Sequence, residues 1–145
     1  MKFFKNGFSV IIIIFIFVIS VFVLSKYQNT TDIFLANTKI RVTIANTSLS
    51  QSRGLSHRVK LNTNEGMLFI FKQPGIYQFW MKDMNFPIDI IWFDKYKKII
   101  SVNKNIQPSS YPELFAPISP VLFVLEVPSG FFTRNNLQIG DQLNW

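Results

Sequence analysis

At 145 residues the chain has room for one folded domain and little more, since single cores are typical at roughly 100 to 150 residues. A hydrophobic fraction of 48% with 16 Phe excludes a disordered chain, and the lack of cysteine excludes disulfides, thiol nucleophiles and zinc–thiolate sites. The net charge of +7 comes mostly from lysines scattered along the chain, which gives no basic stripe for nucleic acid.

In chain order, Lys2 and Lys5 come first, and residues 6–25 then carry no ionisable side chain. The apolar centre, residues 8–24, would cover roughly 25 Å as a helix at ~1.5 Å per residue, enough for a slightly thinned bilayer. Residues 1–26 therefore read as a signal anchor or a signal peptide. No pair of spaced small residues of the A-x-A kind follows Leu24, which favours the uncut anchor. Lys2 and Lys5 before the span, against Lys26 after it, point to a cytoplasmic N-terminus. The expected partner of this segment is the membrane, through residues 6–25. The expected location is the inner (plasma) membrane, with the domain extracytoplasmic, periplasmic or at the cell surface.

Residues 27–37 are largely polar and read as a linker, and residues 38–145 as a β domain. Ile40, Val42 and Ile44 alternate with Lys39, Arg41 and Thr43, the period of a half-buried strand. Thr47 or Ser48 is suited to cap a short helix reaching Arg58, with Leu49 and Leu55 turned inward. Runs rich in β-branched and aromatic residues then predict strands over 67–71, 76–81, 88–93, 98–102 and 121–127. Turn signals separate them at 64–66, at Pro74 and Gly75, at 94–97 and at 128–130. Residues 105–120, with prolines at 108, 112, 117 and 120, predict a long loop. Short strands at regular spacing predict a mainly β fold: a small, mostly antiparallel β-barrel with one or two short helices, preceded by an N-terminal transmembrane helix.

Two carboxylates fall on strands that are apolar on both faces. Period-two geometry puts Asp89 with Ile91 and Phe93, and Glu126 with Leu122 and Val124. A charge there costs several kcal/mol unless cations or donors satisfy it, and Arg53, Arg58 and Lys82 are the candidate partners. Three uses compete. The carboxylates can cap backbone groups or pair with Arg53 and Lys82 to fix register. They can line a pocket mouth with Arg53, Trp80 and Lys82, where a small polar ligand such as a sugar or peptide end would bind. Or Asp89 and Glu126 can act as an acid and base pair, as in glycoside hydrolysis, for which only residue type speaks. His57 lies between Ser56 and Arg58 on a polar segment and reads as a surface residue. A single histidine without cysteine, no Asp-x-Asp spacing and no glycine-rich phosphate loop lead us to expect neither metal nor cofactor.

Six phrases recur in a recognisable order: Arg53-Gly54-Leu55, Gly66-Met67-Leu68-Phe69, Phe79-Trp80-Met81-Lys82, Pro87-Ile88-Asp89-Ile90, Leu125-Glu126-Val127 with Gly130, and Gly140-Asp141. In this order and spacing the chain closely resembles the family catalogued as domain of unknown function 192, over residues 38–145. The resemblance implies a small, mostly antiparallel β-barrel, often exported, and brings no established activity with it. Asp83 and Met84 stand where the family commonly has Asn and Thr, so a hydroxyl-dependent role there is not carried over. The function expected from all this is a membrane-anchored extracytoplasmic module that binds a small ligand or an envelope protein without catalytic activity. The alternatives are a hydrolase of envelope polymers using the paired carboxylates, and a structural or assembly factor of the envelope.

Overall fold

The computed structural model describes residues 11–17 and 30–145. Residues 11–17 are helical and exposed, and the rest of the span expected over 6–25 lies outside the described residues. Among the described residues no helix is long and apolar enough to cross a membrane.

Seven strands follow: β1 (Thr30–Leu35), β2 (Thr38–Ala45), β3 (Glu65–Gly75), β4 (Ile88–Phe93), β5 (Ile99–Ile106), β6 (Val121–Pro128) and β7 (Leu143–Asn144). They form one sheet in the order β5-β4-β6-β3-β2-β1-β7. The pairing of β2 with β3 is parallel, and the other pairings are antiparallel. The sheet is therefore mixed but mostly antiparallel, as expected, and it is not a closed barrel. Its two edges approach at one end, where Lys98 bridges Gln142 and the Leu143 amide donates to the Lys97 carbonyl at 2.9 Å. The result is a curled half-barrel.

Both faces of the sheet are covered, as the apolar runs require. On one face Ile33, Ile40, Val42, Leu68, Ile91, Phe93 and Leu125 pack under α2 (Phe131–Arg134), which buries Phe131 and Phe132. On the other, Met67, Phe69, Ile90, Trp92 and Val124 pack against Leu55, Met81, Phe79 and Phe115. Leu122, expected beside Glu126, packs instead with the first cluster.

Three local expectations change. The linker over 27–37 contains β1, because Ile33 and Leu35 alternate inward and pair across from Ile40 and Thr38 on β2. Residues 76–81 form no strand; a bridge between Phe79 and Phe115 holds them, and Tyr77 and Phe79 pack against the second core cluster. The helix from Thr47 is shorter, α1 (Ser48–Arg53), and Leu49 is exposed while Leu55 is buried beyond its end. Thr47 does cap it: its hydroxyl accepts from the Ser50 amide, and the Ser50 hydroxyl accepts from the Thr47 amide.

Candidate functional site

Asp89 is fully buried on β4, and every lone pair it needs filled is filled by backbone. Its Oδ1 accepts from the amides of Asn105 (2.8 Å) and Gly130 (3.2 Å), and its Oδ2 from the Phe132 amide (3.0 Å). Three donors from two separate segments thus converge on one carboxylate, tying the end of β5 and the start of α2 to β4. Gly130 serves this junction with φ of 78°, a conformation that side chains rarely adopt. Asp89 is a structural clamp.

Glu126 is just as buried and has no such company. In the β4–β6 ladder Ile90 lies opposite Glu126, whereas Asp89 lies opposite Val127. Successive strand residues point to opposite faces, so the two carboxyls sit on opposite sides of the sheet. The paired-carboxylate hydrolase expected as an alternative is not assembled, since both acids would have to face one cleft. Glu126 is 5% exposed, and its Oε2 has no hydrogen-bond partner. Burial pushes its carboxyl up to about 8, against an opposing pull from Arg58. Near neutral pH it is mostly a neutral acid.

The Glu126 carboxyl closes the base of a cavity of about 380 Å³. Phe69 and Leu55, both buried, share that base. The walls are aromatic: Phe71 stacks on Tyr77 with centroids 3.5 Å apart, and Phe79 meets Phe69 edge-on at 4.8 Å. Phe79 also stands edge-on to Trp92 at 5.3 Å, so the wall is braced by the core behind it. Polar groups come from the opposite side, where α1 and the residues after it supply Gln51, Ser52, Arg53 and Ser56. Gly54 lets this segment lie close over the base. A Cβ there would sit 3.8 Å from Glu126 Oε2 and 3.7 Å from the Phe69 ring, at a φ of 53°.

Of the five residues singled out from the sequence, Arg53, Trp80 and Glu126 are brought together at this cavity, and Asp89 is not. Lys82 is exposed outside the lining, its ammonium 5.9 Å from the Trp80 ring. Arg53 is exposed at the mouth and, among the described residues, makes no ion pair. The charge that acts on Glu126 comes from Arg58, a half-buried guanidinium donating to the Thr43 hydroxyl at 3.1 Å. Burial lowers the Arg58 pKa, while Glu65 and Glu126 oppose that effect. His57 is on the surface, 3.8 Å from Asp83. Sequence reasoning missed the walls, Phe69, Phe71, Tyr77 and Phe79, although the density of rings over 69–80 was visible. Among the described residues no group of three or more His, Cys, Asp or Glu is placed to hold a metal.

Fold and site together define a small half-barrel β domain whose second face opens into an aromatic cavity over a lone buried carboxyl. The sequence profile of the domain of unknown function 192 family, described as "Uncharacterized ACR", matches residues 31–145. The chain belongs to this family. It is 27% identical over 110 residues to a UPF0127 protein of Thermococcus sibiricus, covering 72% of this chain and 66% of that relative. The fold resembles the crystal structure of a protein of unknown function from Novosphingobium aromaticivorans, at a TM-score of 0.76 and 28% identity, over 80% of this chain and 85% of that one. It resembles equally a "putative transcription regulator" from Sinorhizobium meliloti, at a TM-score of 0.76 and 25% identity, over 81% and 94% of the two chains.

Proposed function

We propose that this protein is a binding module for a small ligand, held at the outer side of the plasma membrane by its N-terminal segment, and that it performs no catalytic turnover. The observation that carries the reading is the cavity itself: about 380 Å³, walled by rings and closed by a buried carboxyl whose Oε2 is unpartnered. Ligand sites are concave, mostly apolar and furnished with a few placed polar groups. Here those groups are Glu126 at the base and Gln51, Arg53 and Ser56 towards the mouth. Buried polar atoms are nearly always satisfied, so an orphan at the floor of a cavity suits a partner that arrives from outside. The apolar run over residues 8–24, preceded by Lys2 and Lys5, supports the membrane address.

The reading is tested by titrating the isotope-labelled full-length chain, in a mild non-ionic detergent, with a panel of small neutral, cationic and anionic aromatic compounds. Shifts of the amide signals of Arg53–Ser56, Phe69 and Phe79 with at least one compound class are expected. A panel that moves no signal, or only signals far from the cavity, overturns the reading. Detection of the full-length chain in the lipid-free cytoplasmic fraction would overturn the address.

A further inference from the structure

Resting on that cavity reading, we infer that the ligand presents a primary ammonium group to Glu126 and lays an apolar body against the aromatic wall. The inference starts from what surrounds the carboxyl. From β3 and β4 its ladder neighbours are Met67 and Ile90, neither of which can donate a hydrogen bond through a polar group of any strength. Arg53, at the end of α1, is exposed at the mouth. Arg58, beyond it, acts on Glu126 through space and is engaged with Thr43. Tyr77 is committed elsewhere, its hydroxyl donating to the Gln73 carbonyl at 2.6 Å. Among the described residues, therefore, none donates to Glu126 Oε2.

Three kinds of ligand group could fill the gap: a neutral donor, a neutral acceptor meeting the protonated acid, and a cation. The walls decide between them. Ring faces carry negative electrostatic potential, and a cation within about 6 Å of a ring centroid gains from it where a neutral hydroxyl does not. Phe69, Phe71, Tyr77, Phe79 and Trp80 all border this space. An ammonium at the base would meet the carboxylate in a dry site, where charge attraction is strongest. Arg53 opposes it from the wet mouth, where exposed charges are screened beyond about 8 Å, and the half-buried Arg58, which already acts on Glu126, opposes it with less screening. Oε2 is itself buried, so the carboxyl must turn about its terminal torsion to meet the ligand.

The probes are 2-phenylethylamine and 2-phenylethanol, which match in size and differ in the ammonium. Titration calorimetry on the full-length chain at pH 7 is expected to show the amine binding at least tenfold more tightly than the alcohol. A carboxyl with a pKa of about 8 is mostly protonated at that pH, so its pairing with an ammonium expels close to one proton. The expulsion is read by repeating the titration in two buffers of different ionisation enthalpy. Glu126→Gln should abolish both the preference and the proton release. Equal or tighter binding of the alcohol, or no proton released, overturns the ammonium inference and leaves the cavity reading standing. Failure of both probes and of the wider panel overturns both. Should Glu126→Gln fail to fold, the wild-type preference and proton release decide by themselves.

Discussion

Asp89 and Glu126 occupy neighbouring rungs of one ladder, on adjacent strands and both buried, yet their surroundings are opposite. Asp89 collects three backbone amides from the ends of β5 and α2. Glu126 has an oxygen with no donor, in a cavity lined by rings. The contrast separates two reasons for burying an acid: one binds loops into the fold, the other is held in reserve at a concave surface. A residue of the first kind should matter to stability and not to binding, and one of the second kind should matter to binding.

The largest effect is expected at the clamp. Asp89→Ala leaves three amides without their acceptor, that of Phe132 buried and those of Asn105 and Gly130 part-buried, and at ~1 to 3 kcal/mol for a buried unsatisfied donor the loss should be ~3 kcal/mol in urea unfolding. A loss under ~1 kcal/mol would remove the distinction drawn between the two acids.

Next comes the pH dependence. In the unfolded chain the Glu126 carboxyl titrates near its ordinary 4.5, and in the folded chain at about 8. Between those values the folded state binds the extra proton, so this group's contribution is fully present below pH 4.5 and fades as pH rises through 8. Each pKa unit of difference is worth ~1.4 kcal/mol, so wild type should lose a few kcal/mol across that window relative to Glu126→Gln. Parallel stability curves for the two proteins would sink the claim that Glu126 is stored as a neutral acid.

Gly66→Ala probes the scaffold beneath the cavity. A Cβ at Gly66 would stand 2.7 Å from the Glu126 carbonyl, so β3 and β6 must separate, and a loss of ~1 to 3 kcal/mol is expected. The smallest effect is at the α1 cap, where Thr47→Ala should cost ~1 kcal/mol by thermal unfolding. Neither substitution should remove binding at the cavity unless the domain unfolds, and a folded Thr47→Ala protein that no longer binds would show that α1 does more than carry Arg53.

Much of this was legible in the residues. The alternation around Ile40 to Ile44 and the apolar runs that became β4 and β6 marked their strands, and a carboxylate inside each run marked both acids as buried. Their fates were not legible. Strand period gives the face a residue takes within its own strand, whereas the relative face of Asp89 and Glu126 depends on a register offset of one between β4 and β6. β1 escaped notice because only Ile33 and Leu35 face inward among Thr, Asp and an exposed Phe34, too short a signal to separate from a polar tether. Residues 76–81 misled in the other direction. Their rings have strand propensity, but Tyr77 and Phe79 spend it on packing against Phe71, Phe69 and Trp92 rather than on a ladder. The turn over 94–97 works without glycine because Asp94 Oδ1 accepts from the amides of Tyr96 and Lys98, with Lys97 at φ of 64°.

The most direct measurement is a carbon-13 NMR titration of the side-chain carboxyl of Glu126 in the folded protein, from pH 4 to 9. A midpoint near 8 is predicted from its burial at the cavity floor. A midpoint at the ordinary carboxyl value would mean that the oxygen is already satisfied, and the separation between a clamping acid and a waiting one would fall.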